Sequence, residues 1–264
     1  MLGRAIASGK VQLALSIWNL FEIGAATDEA QRERRLVFLD TLVPVWVVER
    51  RAIQRQEVER FLWHHKFGLI RKELIAITRS LSVVDSFFAG AQTRIGLTAR
   101  QFIRETDFTA LNPLKKLSPD ALKVLQTADR KLLKSKEKEM FEAWVSQSIP
   151  DLDPGGRAFT ISQKAELVSF CWQQRKQFLA ECRSLAVEHA LTRARTADAK
   201  RTAEESDGLD LQHSAVALSY CDVFFSRDRY QARCAELARD TLKTMSLGEI
   251  CTTPDSLSAT LATF

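Results

Sequence analysis

Short apolar segments of strand character alternate with helical ones at both ends of this chain, while the long stretch between reads as helix alone. Residues 11–15 form an apolar run that ends at Ser16, and Ile17, Trp18, Leu20, Phe21 and Ile23 follow at spacings that fit a helix packed on both sides. A charged lead from residue 31 enters a second helix around Leu36, Leu39 and Leu42. Residues 44–48, Pro-Val-Trp-Val-Val, are β-branched and aromatic, which predicts a second strand. Helical spacing returns from Ile53, with Val58, Phe61 and Leu62 on one face. Strand, helix, strand, helix over residues 11–62 is the order of a parallel sheet with helical crossovers. The same grammar resumes after the polar stretch 195–208. It predicts a helix over 210–218 with Asp210 in its first turn, a buried strand at 223–225 and a helix over 231–243. A last edge strand at 249–252 follows, and Thr253-Pro-Asp-Ser256 starts a final helix.

The intervening residues predict helices near 69–90, 97–105, 118–147 and 162–197, punctuated by Pro113, Pro119 and a turn over 151–156. The organisation expected is therefore an α/β part over 1–62, an all-helical insertion over 63–200 and a second α/β part over 201–264. With 10 Gly and 6 Pro among 264 residues, the chain lacks the punctuation that a turn-rich all-β fold needs. No apolar run reaches the ~18 to 20 residues required to span a bilayer, so no membrane segment is expected. Asn19 and Glu22 stand where a leader would carry a small-residue cleavage site, and the expected location is the cytoplasm. Cysteines 171, 182, 221, 234 and 251 are odd in number and form no CxxC, which points to core thiols.

Charge is unevenly distributed. Residues 61–140 hold 15 Lys and Arg against 8 Asp and Glu, whereas residues 201–264 hold 6 against 10. A basic surface beside an acidic pocket suits a protein that holds a polyanion and works on it with a metal ion. Asp-Pro-Gly-Gly at 153–156 lacks the lysine and the preceding strand of a phosphate-binding loop, which argues against an NTPase. The chain has no nucleophile elbow, so covalent hydrolase chemistry has no support either.

Ligands of a parallel sheet lie at the carboxyl ends of its strands. Asp228 falls at such an end, Asp210 begins a helix, and Glu22 lies one to two turns into the helix after the first strand. Carboxylates that converge there repel unless a divalent cation neutralises them, and Mg²⁺ or Mn²⁺ is the natural choice for oxygen ligands.

Ser16-Ile-Trp-Asn-Leu-Phe-Glu22 resembles the strand-to-helix Ser…Glu element of PIN-like nucleases. Asp210-Leu-Gln-His213, with Tyr220-Cys-Asp-Val-Phe-Phe-Ser-Arg-Asp-Arg-Tyr230, is similar to their C-terminal acidic elements, and Cys251-Thr-Thr-Pro-Asp255 to their closing strand and proline. The resemblance covers residues 11–60 and 205–264. It implies an α/β fold, a PIN-like three-layer α/β/α parallel sheet here interrupted by the large all-helical insertion, and metal-dependent hydrolysis of phosphodiester bonds, usually in RNA. Glu22, Asp210 and Asp228 match the family's second, third and fourth acidic positions, so all three are expected as catalytic and Mg²⁺- or Mn²⁺-holding residues. Asp222 and His213 stand beside them as supporting groups. The family's first strand, which carries a further catalytic Asp and belongs to the middle of the sheet, has no counterpart in residues 1–10, where no acidic residue occurs.

On this reading Lys115, Lys116, Lys131, Lys134, Lys136 and Lys138 hold the nucleic-acid backbone, RNA in preference to DNA. Partners beyond nucleic acid would be a second copy of the chain or an inhibitory protein. The rival is a non-catalytic helical nucleic-acid-binding or protein-interaction module, a pseudo-nuclease. The remaining polar groups have ordinary roles: Glu57, in Arg-Gln-Glu-Val-Glu-Arg, as a solvated helix charge, His64 and His65 pointing apart, His189 packed on its long helix, and Asp151 and Asp153 in a turn.

Overall fold

A computed structural model describes residues 5–6, 8–24, 28–84, 96–106, 137–198 and 207–263. Val45, Trp46 and Val47 are buried on both faces and form a central strand, β2 (Val45–Val47). It pairs in parallel with β1 (Ala14–Ser16), Leu15 lying opposite Trp46, and antiparallel with β3 (Ile77–Thr78), Val47 lying opposite Ile77. A second sheet pairs β4 (Val223–Phe225) in parallel with β5 (Glu249–Cys251). Gly248 is required at the entry to β5, because a Cβ there would sit 2.5 Å from the Cys221 carbonyl oxygen.

Helices supply most of the structure. In the first α/β part they are α1 (Ile17–Gly24), α2 (Glu29–Leu42) and α3 (Arg50–His65). The middle contributes α4 (Ala99–Glu105), α5 (Glu137–Ser146), α6 (Ile161–Gln173), α7 (Arg175–Glu181) and α8 (Arg183–Ala197). The end of the chain contributes α9 (Asp207–Tyr220), α10 (Arg229–Thr241) and α11 (Pro254–Leu261). Capping boxes at Thr98–Gln101, Thr160–Gln163 and Thr253–Ser256 start α4, α6 and α11 by satisfying amide groups that the first helical turn leaves unpaired. The chain is thus a mixed α/β protein with a large helical share and two small sheets. No helix of the described residues is long and apolar enough to cross a membrane.

Three apolar cores hold these elements together. The first packs β1, β2, α1 and α2 against Phe102 and Ile103 of α4. The second gathers Phe61 and Leu62 of α3, Phe141 of α5, Cys171 of α6 and Phe178 of α7. The third joins α8, α9 and α10 to β4 through Leu191, Leu218, Phe224 and Ala235. Three helices cross between cores: α3 puts Ile53 in the first and Val58 in the second, α8 puts Leu185 in the second and Leu191 in the third, and α9 puts Val216 in the first and Leu218 in the third.

Glu57 sits where these helices meet. Only 2% of its surface is exposed, so it is not the solvated charge that its neighbours suggest. Its carboxylate accepts from the Ser184 amide at 2.8 Å, the Ser184 hydroxyl at 2.7 Å, the Leu185 amide at 3.4 Å and the Tyr220 hydroxyl. Helix α8 has no capping bond from its own N-cap residue, Cys182, and Glu57 takes over that task from another helix. Burial pushes the Glu57 carboxyl up, and these donors pull it back.

Two further expectations change. Residues 63–200 are not wholly helical, because β3 lies within them and the helix expected at 69–90 is absent over 69–80. Gly68, at φ +66°, ends the α3 turn. The following backbone is then held in extended form by partners distant in sequence: Val48 N–H donates to Ala76 C=O at 2.9 Å, and the Gln56 side chain pairs with both backbone groups of Ile75. The helix expected over 162–197 is three helices, broken at Gln174 and at Cys182, whose ψ of 72° is not helical. Of the helix expected over 118–147, α5 occupies the described part.

Other readings hold. Asp153 Oδ1 accepts from the Gly155 and Arg157 amides in a turn, His189 packs edge-on against Trp144 with ring centroids 5.0 Å apart, and the His64 and His65 rings lie at 73° to each other. All five cysteines are free thiols, four of them buried.

Because Glu57 satisfies donors on two other helices, Glu57→Ala leaves those donors buried and unpaired, and the expected loss in urea denaturation is about 3 kcal/mol or more. Glu57→Gln keeps one acceptor oxygen and is expected to lose less. A loss under about 1 kcal/mol for Glu57→Ala would show that the node is dispensable.

Candidate functional site

A cavity of about 820 Å³ separates the two sheets. It is lined by β1, by β4 and by the ends of the helices that follow them, and it contains Glu22, Asp210, His213 and Asp222. Ser16 closes β1 at the strand-to-helix junction, where its amide donates to Asn19 Oδ1 at 2.9 Å. That bond fixes the first turn of α1, from which Glu22 projects toward α9.

Across the cavity, the Ser16 hydroxyl lies 3.0 Å from His213 Nδ1, and His213 Nε2 lies 3.9 Å from Glu22 Oε1. Burial holds the imidazole down to about 4, so it is neutral at physiological pH. Its Nε2 is buried without a hydrogen-bond partner. Glu22 carries the opposite shift. Burial raises its carboxyl first and the nearby Asp210 carboxylate raises it further, while Asn19 and Arg35 pull it back. The Glu22 side chain keeps 56% of its surface in solvent, so the shift is a matter of its neighbour as well as of depth.

Glu22, Asp210 and His213 are thus brought to one end of the cavity, at the carboxyl end of β1. Asp222 lies on the lining just before β4, its carbonyl oxygen accepting from the Glu249 amide at 2.8 Å. Asp228 does not line the cavity. It is the N-cap of α10, and its Oδ1 accepts from the Tyr230 amide at 2.7 Å and the Gln231 amide at 3.0 Å. Among the described residues, no group of three or more His, Cys, Asp or Glu is placed to hold a metal ion. Lys138 is exposed on α5 and pairs with Glu142 at 3.7 Å, whereas Lys115, Lys116, Lys131, Lys134 and Lys136 lie outside the described residues.

Two residues of the site are not evident from the sequence. Asn19 stands three positions after Ser16, the spacing of a side chain that folds back on a helix start. Gln231 is a polar residue on the apolar face of α10. Its amide donates to the Asp210 carbonyl at 3.1 Å and to Ser214 Oγ at 3.0 Å, and it accepts from the Ser226 hydroxyl, tying the end of β4 to α9.

Comparison with protein-family models, curated proteins and solved structures finds no match to this chain.

The two shifts predict opposite pH effects on stability. For His213 the unfolded chain takes up its proton near pH 6.5 and the folded chain only near 4, so stability is present above that window and is lost as pH falls through it. His189 is also held down by burial, so the His213 contribution is read as the difference from His213→Asn, which should flatten the melting curve between pH 6.5 and 4. For Glu22, whose folded carboxyl is raised above 4.5, the unfavourable contribution appears as pH rises. Glu22→Gln should therefore melt higher than the parent at pH 7 and at the same temperature at pH 3.5. Equal melting at both pH values would mean that burial and Asp210 do not raise the Glu22 carboxyl in the folded chain.

Proposed function

We propose that the chain is a PIN-like, metal-dependent nuclease that hydrolyses phosphodiester bonds, RNA in preference to DNA, with Glu22 and Asp210 as its metal-holding carboxylates. On this reading the two sheets are halves of one three-layer α/β/α core. The observation that carries it is the half-exposed Glu22 facing Asp210 at the carboxyl end of a parallel strand, where burial first and the Asp210 carboxylate second raise the Glu22 carboxyl, a placement that a cation would relieve.

The residues present suit Mg²⁺ or Mn²⁺. Mg²⁺ keeps several of its waters and is held by one or two carboxylates together with substrate phosphates, so a set of three protein ligands is not required. Bound there, the ion supplies the positive charge that offsets the phosphodiester's own and the charge that develops as it is attacked. With the Ser16 hydroxyl donating to Asn19 Oδ1, at 3.3 Å, His213 carries its proton on Nδ1 and turns a bare Nε2 toward Glu22. A neutral imidazole in that position accepts a proton or a hydrogen bond from a water entering the site. Lys10 lies exposed on the same lining and adds positive charge for the phosphate backbone.

The non-catalytic reading has one observation in its favour: Asp228, the third carboxylate that the resemblance implies, is engaged in capping α10 outside the cavity. Cleavage separates the two. Labelled single-stranded RNA should be cut by the parent with Mn²⁺ and left intact with chelator. Glu22→Gln and Asp210→Asn should each lower the rate by a hundredfold or more with RNA binding retained. Asp228→Asn preserves a good cap and should cut at a rate within a few fold of the parent. Binding without cleavage under every metal condition would establish the pseudo-nuclease instead.

A further inference from the structure

A polar atom of the cavity wall is left without a task. Among the described residues, His213 Nε2 is buried and has no hydrogen-bond partner. A buried polar atom without a partner is costly, and in a folded protein it commonly marks the place of a water or an ion. The carboxylate oxygen across from it is Glu22 Oε1, at 3.9 Å. That separation is too long for a hydrogen bond, and with the ring proton on Nδ1 both atoms are acceptors. It falls within the span of about 4.2 Å that two atoms can reach when each sits about 2.1 Å from one ion. A water can also join two acceptors, but the negative charge of Glu22 favours a cation in that place.

The ring is also held as a metal-bound imidazole is held. Its other nitrogen, Nδ1, lies 3.0 Å from the Ser16 hydroxyl, which lies 3.3 Å from Asn19 Oδ1. Ligating histidines anchor their second nitrogen by a hydrogen bond, which sets the tautomer and aims the ligating atom. Ser16 is itself fixed, since its amide donates to Asn19 Oδ1 at 2.9 Å. Glu22 is the adjustable member. Its side chain is half in solvent and can close a fraction of an ångström without disturbing the core.

We propose that His213 binds, through Nε2, the same ion as Glu22, and that the site therefore takes a first-row transition ion, Mn²⁺ in preference to Mg²⁺. The nitrogen makes the difference: Mg²⁺ takes oxygen ligands and sheds its waters reluctantly, whereas imidazole suits transition ions. Two side chains leave the other positions of the ion to water and to a substrate phosphate. The inference rests on the reading that Glu22 holds a cation. With the ion bound, the lone pair that otherwise meets an entering water is given to the metal.

Chelator-stripped protein is titrated by calorimetry with MnCl₂ and with MgCl₂, and its Mn²⁺ form is examined by pulsed EPR for the modulation that a directly bound imidazole nitrogen produces. Mn²⁺ should bind at least tenfold more tightly than Mg²⁺ and show the modulation. His213→Gln should lose the modulation and bring Mn²⁺ to within a few fold of Mg²⁺, with the Mg²⁺ affinity little changed. Glu22→Gln should lose the modulation together with most of the Mn²⁺ binding. That second variant assigns the nitrogen to the cavity, and it decides the matter if His213→Gln does not fold. Mn²⁺ that binds as weakly as Mg²⁺, without the modulation and in a manner lost in Glu22→Gln, would overturn the inference and leave the carboxylate site standing. A modulation that survives either substitution would come from a nitrogen elsewhere and would overturn it too. No binding of either ion at millimolar concentration would overturn the inference and the metal-dependent reading together. The modulation without RNA cleavage would uphold the His213 ligand and remove the nuclease alone.

Discussion

The carboxylate of Glu57 joins parts of the chain that are otherwise separate hydrophobic cores. It leaves α3 between Ile53, which belongs to the first core, and Val58, which belongs to the second, and it binds the start of α8 and the end of α9. A buried carboxylate is tolerated only when its lone pairs are filled, and here backbone amides and hydroxyls fill them without a paired cation. Arg50 and Gln54, on the same helix, also bind α8 through Glu188, there with the Arg50 guanidinium as a paired cation. The relative placement of the two sheets is thus a consequence of how α3 meets α8 and α9.

That arrangement explains how a sheet can stand divided. Strand pairing usually holds neighbouring strands at fixed spacing, and among the described residues nothing of the kind connects β1 to β4. The direct links across the gap are the Ser16–His213 bond and the Gln231 bonds to α9, each a neutral contact worth about 1 kcal/mol. The burial of α9 against α8, β4 and the first core stabilises the arrangement more than these bonds do, since Val216, Ala215 and Leu218 are all removed from water. Helices therefore hold the two sheets with a space between them, and the polar contacts set only the detail of the site.

What can be read from the sequence follows the range of the interactions involved. The strands 45–47, 223–225 and 249–251 are legible because β-branched and aromatic residues lie between turn-forming ones, and the start of α11 because Thr253, Pro254 and Ser256 form a local cap. β3 is not, since the apolar spacing of 69–80 fits a helix and its extended form is imposed by Val48 and Gln56. Glu57 is misleading for the same reason: its partners lie 127 and 163 residues away, and its sequence neighbours are charged. Within the site, the sequence places Glu22 and Asp210 at one end of the sheet region, as the structure does, while the division of the strands into two sheets leaves no local trace. The Asp228 cap illustrates the limit of position as a guide, because a carboxylate at a strand end and a helix N-cap occupy the same place in the sequence.

Among the described residues, Glu22 and Glu57 are the two acidic side chains whose carboxyls burial raises, and their difference is informative. Glu57 is surrounded by donors, and removing it would leave the helices that it joins with unpaired groups. Glu22 faces Asp210, has Asn19 and Arg35 as partial compensation, and lies 3.9 Å from a neutral His213 on α9. The fold would lose nothing by placing glutamine at residue 22, and by the electrostatics it would gain. Local arrangements that oppose stability are retained where something other than stability is at stake, and a strained charge pair at the mouth of a cavity is such an arrangement. The pair lies in the cavity between the two sheets, and the function is best sought there.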